Sequence, residues 1–130
     1  MANRQLSRTN EADNIYDESS LVDGLFKLLG EEGFVLLTEQ FGGLRLYVPE
    51  NVHRSELADS ITIQYASLLS EAFPGDYVRV PLGREIRGAN YLKKGYSNQK
   101  IARSLGITES GAERLIKRLR KRGLASQVRG

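Results

Sequence analysis

The sequence predicts a mainly α fold with a small β component, divided into an N-terminal domain of helix–strand units and a C-terminal domain of three helices. Three observations support this prediction. Apolar residues recur at helical spacing between residues 98 and 119, and a sequence pattern repeats after 32 positions between residues 29 and 81. The two parts of the chain also carry opposite net charge. A chain of 130 residues has room for one ordinary domain or two very small ones.

We expect three segments: a mobile arm over residues 1–18, an acidic domain over residues 19–82 and a basic domain over residues 83–130. The arm is polar and lacks the apolar stretch of a signal peptide. No apolar run approaches the roughly 18 residues of a membrane span. The chain has no Cys, which excludes a disulfide framework and suits a reducing compartment. We therefore expect a cytoplasmic protein with no membrane contact.

Glycine and proline divide the acidic domain into alternating helices and strands. The pattern predicts helices over about residues 19–29, 33–41 and 55–72, and strands over residues 44–48 and 76–80. Gly42-Gly43 and Pro74-Gly75 separate helix from strand in the two units. Each strand ends at a proline, Pro49 or Pro81, since proline lacks the N–H that would continue a ladder.

Sliding the sequence by 32 positions aligns one helix–strand unit with the other. Leu36-Leu37 then falls on Leu68-Leu69, and Gly43 falls on Gly75. Two short strands make a marginal sheet with exposed edges. We therefore expect this domain to form a homodimer in which strands from two copies are shared or stacked around a two-fold axis. The alternative is a monomer whose two strands pair with each other and are covered by their own helices.

The expected dimer interface consists of residues on both predicted strands. These residues are Leu44, Leu46, Tyr47, Val48, Tyr77, Val78 and Val80. Packing or interface contact is the common role of tyrosines in such positions.

The basic domain contains the pattern of a helix-turn-helix. Ile101, Ala102 and Leu105 form an apolar stripe on a short helix that Ser97 can cap. Gly106 follows where the helix must stop and the chain must turn, a position that favours positive φ. Thr108 can cap the next helix. Ala102 is small because two helices that cross at a tight turn leave no room for a larger side chain.

Three helices are predicted in this domain, near residues 84–94, 98–105 and 109–122, although Gly88 interrupts the first. The last has one apolar face and many charged residues on its other faces. A helix-turn-helix places such a helix in the DNA major groove. The expected DNA-binding residues are Asn98, Gln99, Thr108, Glu109, Ser110, Glu113, Arg114, Lys117, Arg118, Arg120, Lys121 and Arg122.

Charge is segregated along the chain in a way that also favours nucleic-acid binding. Residues 84–130 hold 13 Lys and Arg and 3 Glu, a net charge of +10, whereas residues 1–83 carry a net charge of −7. The basic part can contact phosphates and accelerate encounter with DNA. The acidic part is expected to stay off the DNA, so its surface is free for protein partners.

No pattern typical of a catalytic or metal site is present. His53 is the only histidine, which excludes a paired-histidine metal site. The chain has no glycine-rich phosphate loop followed by Lys and Ser or Thr. The adjacent acids Glu31 and Glu32 point to different faces of a helix and do not make a catalytic pair. We therefore expect no enzyme activity, no cofactor and no metal.

The segment Gly42-Gly43-Leu44-Arg45-Leu46-Tyr47-Val48-Pro49 resembles the strand motif of the Mor family, the middle-operon transcription activators of Mu-like phages and prophages. Arg84-Glu85-Ile86-Arg87 and residues 95–120 fall where the helix-turn-helix domain of that family should lie. The resemblance covers roughly residues 20–122. It implies a homodimer that binds promoter DNA and recruits bacterial RNA polymerase. Two departures are the second Val-Pro strand at residues 80–81 and Gly111 in the predicted recognition helix.

Other interpretations remain open at this point. Residues 97–102 also resemble the helix-turn-helix of LuxR-type regulators, which usually place a fourth helix after the recognition helix, and only eight residues follow Arg122 here. A DNA-binding repressor would have the same sequence features as an activator. A third possibility is a non-DNA adaptor whose acidic domain binds a protein and whose basic end contacts RNA or an acidic partner.

Overall fold

The computed structural model describes residues 14–123, which form five helices and two strands. Their order is α1 (Asn14–Phe41), β1 (Arg45–Val48), α2 (Glu56–Ala72), β2 (Asp76–Arg79), α3 (Arg84–Lys93), α4 (Asn98–Leu105) and α5 (Glu109–Lys121). The predicted fold class, mainly α with a small β component, is confirmed. The chain divides into two compact units, Met1–Leu82 (the N-terminal unit) and Gly83–Gly130 (the C-terminal unit).

Helix α1 is bent at Gly30, where φ is 79° and ψ is 175°, values outside the helical region. The bend separates the two helices predicted over residues 19–29 and 33–41. The helix begins at Asn14, so residues 14–18 belong to it and not to the predicted arm. No glycine or proline between residues 14 and 23 stops the helix there. Residues 1–13 of the predicted arm lie outside the described part of the chain.

Strands β1 and β2 pair antiparallel within one chain, with Leu46 opposite Val78 and Tyr47 opposite Tyr77. This is the arrangement of the monomer alternative. The inner edge of each strand is satisfied by the other strand. The need for a second copy to cover exposed strand edges therefore concerns only the two outer edges of the sheet.

Three of the expected interface residues lie inside the N-terminal unit. Val48, Val78 and Val80 are at most 2% exposed. Alternate residues of a strand point to opposite faces of a sheet, and these three are on the face that the helices cover. In the single chain, therefore, these three side chains belong to the core of the N-terminal unit.

The other face of the sheet is exposed and carries two tyrosines and two arginines. The ring centroids of Tyr47 and Tyr77 are 5.2 Å apart, and the Arg45 guanidinium lies 4.4 Å from the centre of the Tyr77 ring. Arg79 lies directly opposite Arg45. Of the remaining expected interface residues, Leu44, Tyr47 and Tyr77 are exposed and Leu46 is half-buried.

Helix α2 packs against α1 and begins at the cap residue Ser55, whose side-chain oxygen accepts a hydrogen bond from the Ala58 N–H (3.0 Å). Inside the helix, Thr62 has φ 79° and ψ 154°. A β-branched residue with positive φ is an outlier. The sequence does not predict this second bend, since threonine is not a residue that typically breaks a helix in this way.

Three helices form the described part of the C-terminal unit, and each packs on the other two. They begin at the residues that the sequence predicts and end within one residue of the predicted ends. Helix α3 continues through Gly88, which the sequence treats as an interruption. No strand lies between residues 83 and 123.

Gly30→Ala should lower the free energy of unfolding of the N-terminal unit by about 1–3 kcal/mol, because the backbone conformation at Gly30 is accessible almost only to glycine. A Cβ at Gly30 would meet no atom within 4 Å, so the loss would be due to backbone strain alone. Urea or thermal unfolding of the full chain measures it.

Gly24→Ala is the matched control for this measurement. Gly24 lies in the same helix and also has open space around it, but its φ is not positive. Alanine should therefore stabilise this position by about 0.5–1 kcal/mol, because glycine loses more conformational freedom on folding. Equal effects of the two substitutions would contradict the bend at Gly30.

Candidate nucleic-acid interface

The turn between α4 and α5 has the geometry that the sequence predicts. Ile101, Ala102 and Leu105 are buried, and Gly106 has φ 70° and ψ 34°, the left-handed conformation expected there. The N–H of Ile107 donates to the Ala102 carbonyl oxygen (3.0 Å), which closes the turn. Two short helices are thereby connected with only residues 106–108 between them.

Both predicted helix caps are confirmed. The Ser97 hydroxyl oxygen accepts a hydrogen bond from the Lys100 N–H (3.1 Å) at the start of α4. The Thr108 hydroxyl oxygen accepts one from the Gly111 N–H (3.0 Å) at the start of α5. Each cap satisfies a backbone donor that has no partner inside the helix. The caps therefore set where each helix begins.

Gly111 has a local structural explanation. A Cβ on Gly111 would lie 3.1 Å from the Thr108 hydroxyl oxygen that caps the same helix. Such a contact is tight, so a larger residue would require the capping side chain to shift. The glycine thus leaves space for the cap, and no contact with DNA is needed to account for it.

Helix α5 packs on α3 at Gly88. The buried face of α5 consists of Ala112, Leu115, Ile116 and Leu119. A Cβ on Gly88 would lie 3.1 Å from Leu115 Cδ2 and 3.4 Å from Leu119 Cδ1. The missing side chain lets the two helices approach closely. Gly88 weakens the prediction of a helix at α3, but it allows α3 to pack closely on α5.

The nine expected DNA-binding residues within α5 and at its carboxyl end are all exposed. They are Glu109, Ser110, Glu113, Arg114, Lys117, Arg118, Arg120, Lys121 and Arg122. Four of them, Ser110, Arg114, Lys117 and Lys121, follow one another at intervals of four, three and four residues. At 3.6 residues per turn this spacing forms one stripe, opposite the buried face. We call these four residues the outer stripe of α5.

Two arginines of the expected set contact a carboxylate of α3. Arg122 donates two hydrogen bonds to Glu85 (2.7 Å and 3.2 Å), and Arg118 Nε lies 3.5 Å from a Glu85 oxygen. These side chains lie on the flank of α5 that faces α3, away from the outer stripe. The sequence does not reveal this pairing, because Glu85 and Arg122 are 37 positions apart.

The guanidinium of Arg122 holds the pKa of Glu85 below the ordinary glutamate value, chiefly through its hydrogen bond and further through the charges of Arg122 and Arg118. Partial burial of the carboxyl opposes this shift. Glu85 therefore stays ionised on the basic unit and neutralises part of the positive charge on one flank of α5.

At the amino end of α4, Asn98 and Gln99 are exposed in the first turn, where the sequence expects DNA contacts. Two neighbouring residues outside the expected DNA-binding set, Tyr96 and Lys100, interact at the same end of the helix. The Tyr96 ring stacks on the Tyr91 ring with centroids 4.9 Å apart, and Lys100 Nζ lies 4.0 Å from the Tyr96 ring centre. The position of Tyr96 just before the cap Ser97 is the only sequence signal for it.

Arg87 is buried and connects α3 to α4. Its Nε donates to the Tyr91 hydroxyl (3.1 Å), and a terminal nitrogen donates to the Ser104 carbonyl oxygen (2.8 Å). A guanidinium with these contacts is a structural group. It is not available to DNA in this arrangement.

Among residues 14–123, no three histidine, cysteine, aspartate or glutamate side chains are grouped so that they could hold a metal ion. No helix in this range is long and apolar enough to cross a membrane. Comparisons of the chain with protein-family models, with curated proteins and with solved structures found no match.

Ala102→Glu should unfold the C-terminal unit locally, because it places a charge in a buried position at the turn, without space or a partner. We expect a loss of several kcal/mol, comparable to the whole stability of so small a unit. Arg103→Glu is the control, since Arg103 is the exposed neighbour in the same helix. Circular dichroism during thermal unfolding measures both, and similar melting curves for the two variants would contradict the buried position of Ala102.

The Glu85 contacts should make the stability of the C-terminal unit dependent on pH. Because the folded-state pKa of Glu85 is lowered, its contribution is present above the unfolded-state pKa and is lost as the pH falls through the folded-state value. The side chain is 40% exposed, so screening limits the contribution to about 1 kcal/mol or less. Glu85→Gln should remove this loss of stability as the pH falls from neutral to below the ordinary glutamate pKa, as measured by unfolding, whereas Glu113→Gln should leave it in place.

Proposed function

We propose that this chain is a sequence-specific DNA-binding regulator of transcription whose C-terminal unit contacts duplex DNA through α5. The observation that carries the proposal is the connection of α4 to α5 through a left-handed glycine, with a cap on each helix and an exposed basic face on the second. This combination is typical of helix-turn-helix proteins, in which the second helix enters the major groove.

The outer stripe of α5 is the surface that would face the bases. Ser110 and Arg114 lie in its first half, where recognition helices contact base edges. Arginine donates two hydrogen bonds to guanine in the commonest specific contact with DNA. Lys117 and Lys121 lie further along the stripe and would approach phosphates, which add affinity without specificity.

The amino end of α4 offers a second contact region. Asn98, Gln99 and Lys100 are exposed in its first turn, and Lys100 is held against the Tyr96 ring. In helix-turn-helix proteins the first helix crosses the DNA backbone. We propose phosphate contacts for these residues, which would fix the position of α5 in the groove.

The resemblance to the Mor family supports activation as the regulatory role. By this proposal the chain comes from a phage or prophage, acts in the cytoplasm, binds DNA at a promoter and recruits bacterial RNA polymerase. The acidic N-terminal domain is the surface that would meet a protein partner. A promoter–reporter assay that carries the DNA site selected by this chain from a random pool separates activation from repression.

Selection of bound duplexes from a random pool is the direct test of DNA recognition. We expect one preferred sequence, with binding that weakens as salt rises. Binding to all duplexes alike, or to single-stranded RNA in preference, would contradict the proposal and favour the adaptor.

Arg114→Ala should weaken binding to the selected duplex by about 1–3 kcal/mol and relax the preference at one base pair. Lys121→Ala should weaken selected and scrambled duplexes about equally and lower the salt slope by about one unit. Binding isotherms at several salt concentrations on both duplexes measure these effects.

Arg118→Ala is the matched control, since it removes the same side chain one turn later on the flank that contacts Glu85. It should leave the base preference unchanged. A loss of specificity with Arg118→Ala and none with Arg114→Ala would mean that α5 presents a different face to the bases.

A further inference from the structure

The N-terminal unit is built from two helix–strand units related by an internal two-fold axis. Leu46 and Val78, which are equivalent at the 32-residue offset, also lie directly opposite each other in the antiparallel ladder. A residue that pairs with its own equivalent marks the axis. The sequence repeat is therefore expressed as a symmetric pair inside one chain.

Backbone hydrogen bonds follow the same symmetry. The Gly43 N–H donates to the Val80 carbonyl oxygen at 2.8 Å, and the equivalent Gly75 N–H donates to the equivalent Val48 carbonyl oxygen at 2.8 Å. The two helix bends are also equivalent, since Gly30 and Thr62 are 32 positions apart and both have φ 79°. These matches extend the two-fold from the sheet to the helices.

The core repeats in equivalent pairs as well. Leu37 and Leu69 are 0% and 1% exposed, and Val48 and Val80 are 0% and 1% exposed. Each helix–strand unit thus buries its apolar face against the other. What a second copy would supply to an isolated helix–strand unit is already supplied within the chain.

One pair of equivalent residues makes the two helix–strand units complementary instead of identical. A Cβ on Gly33 would lie 2.7 Å from two atoms of the Tyr65 ring, and Tyr65 is the equivalent of Gly33. Two copies of the first unit would place glycine against glycine and leave a gap. Two copies of the second would bring two tyrosine rings into the space of one. The first helix–strand unit therefore pairs best with the second helix–strand unit.

The connection between the two helix–strand units favours their pairing within one chain over an exchange of helix–strand units between two chains. Residues 49–55 join β1 to α2. A short flexible connection gives an effective concentration in the millimolar range. This effective concentration exceeds the concentration of a second copy in a micromolar protein solution, so pairing within one chain is favoured.

We infer that the chain is a monomer and that its single C-terminal unit recognises one asymmetric DNA site, not an inverted repeat. The DNA part of this inference rests on the proposed function. Dimeric helix-turn-helix proteins bind paired half-sites about one helical turn apart. Residues 14–123 contain the two-fold pair but one α4–α5 hairpin, so this part of the chain holds no second recognition helix to place on the other half-site.

Sedimentation equilibrium of the full chain, without DNA, tests the first part. We expect a mass of 14.5 kDa at concentrations up to about 100 µM. A mass of twice that value at tens of micromolar would overturn the monomer while leaving the proposed function intact.

Engineered cysteines identify which strands pair. The chain has no cysteine of its own, and Tyr47 and Tyr77 are exposed and directly opposite. Oxidation of a Tyr47→Cys, Tyr77→Cys double variant should give a crosslink within one chain, at monomer mass on a non-reducing gel. The Tyr47→Cys single variant should give no crosslink. A covalent dimer as the main product of the double variant would overturn the intrachain pair, and one from the single variant would indicate that β1 pairs with β1 of a second copy.

Duplexes that carry one selected site or two in inverted orientation test the second part. We expect one chain per site and the same affinity for each, whatever the spacing. A dimer would instead favour the inverted repeat by about 100-fold or more, at a fixed spacing. That result would overturn the inference but not the proposed function. Failure to select any sequence would overturn the DNA part of the inference together with the proposed function, and the sedimentation mass would still decide the monomer.

Discussion

The pairing of β1 with β2 across Leu46 and Val78 is the constraint on which the N-terminal unit depends. It brings two helices of unequal composition to the same side of a two-stranded sheet, which would be marginal without them. The bends at Gly30 and Thr62 and the complementary pair of Gly33 with Tyr65 follow from fitting these helices over one small core. A β-branched residue at positive φ persists only where the surrounding packing compensates its strain.

The C-terminal unit depends on packing between its helices, since helices of 8, 10 and 13 residues are too short to be stable alone. Close approach provides the stabilisation, and small residues permit it. Gly88 brings α3 onto Leu115, and Ala102 allows the tight turn at Gly106. Because the apolar side chains of α5 are used in this core, its remaining faces are free to be charged.

Charge on α5 is divided between two tasks. Arg118 and Arg122 neutralise Glu85 and connect α5 to α3, whereas Arg114, Lys117 and Lys121 lie on the outer stripe. The net charge of the segment therefore overstates the positive charge that the outer stripe presents. Ion pairs at such exposed positions are weak, so under the proposed function DNA phosphates would compete for these arginines at small cost.

Local chemistry made the helix boundaries of the C-terminal unit, the caps at Ser97 and Thr108 and the left-handed turn at Gly106 predictable, because each depends on residues within one or two turns. The repeat made the equivalence of the two strands predictable, but not their partner, since pairing within or between chains satisfies the same edges. Three other features were not predictable. The close approach at Gly88 and the contacts of Glu85 with Arg118 and Arg122 join residues distant in sequence, and the bend at Thr62 depends on packing. Periodicity carries no information about such contacts, so only the tertiary structure distinguishes Arg118 and Arg122, which contact Glu85, from Arg114 on the outer stripe.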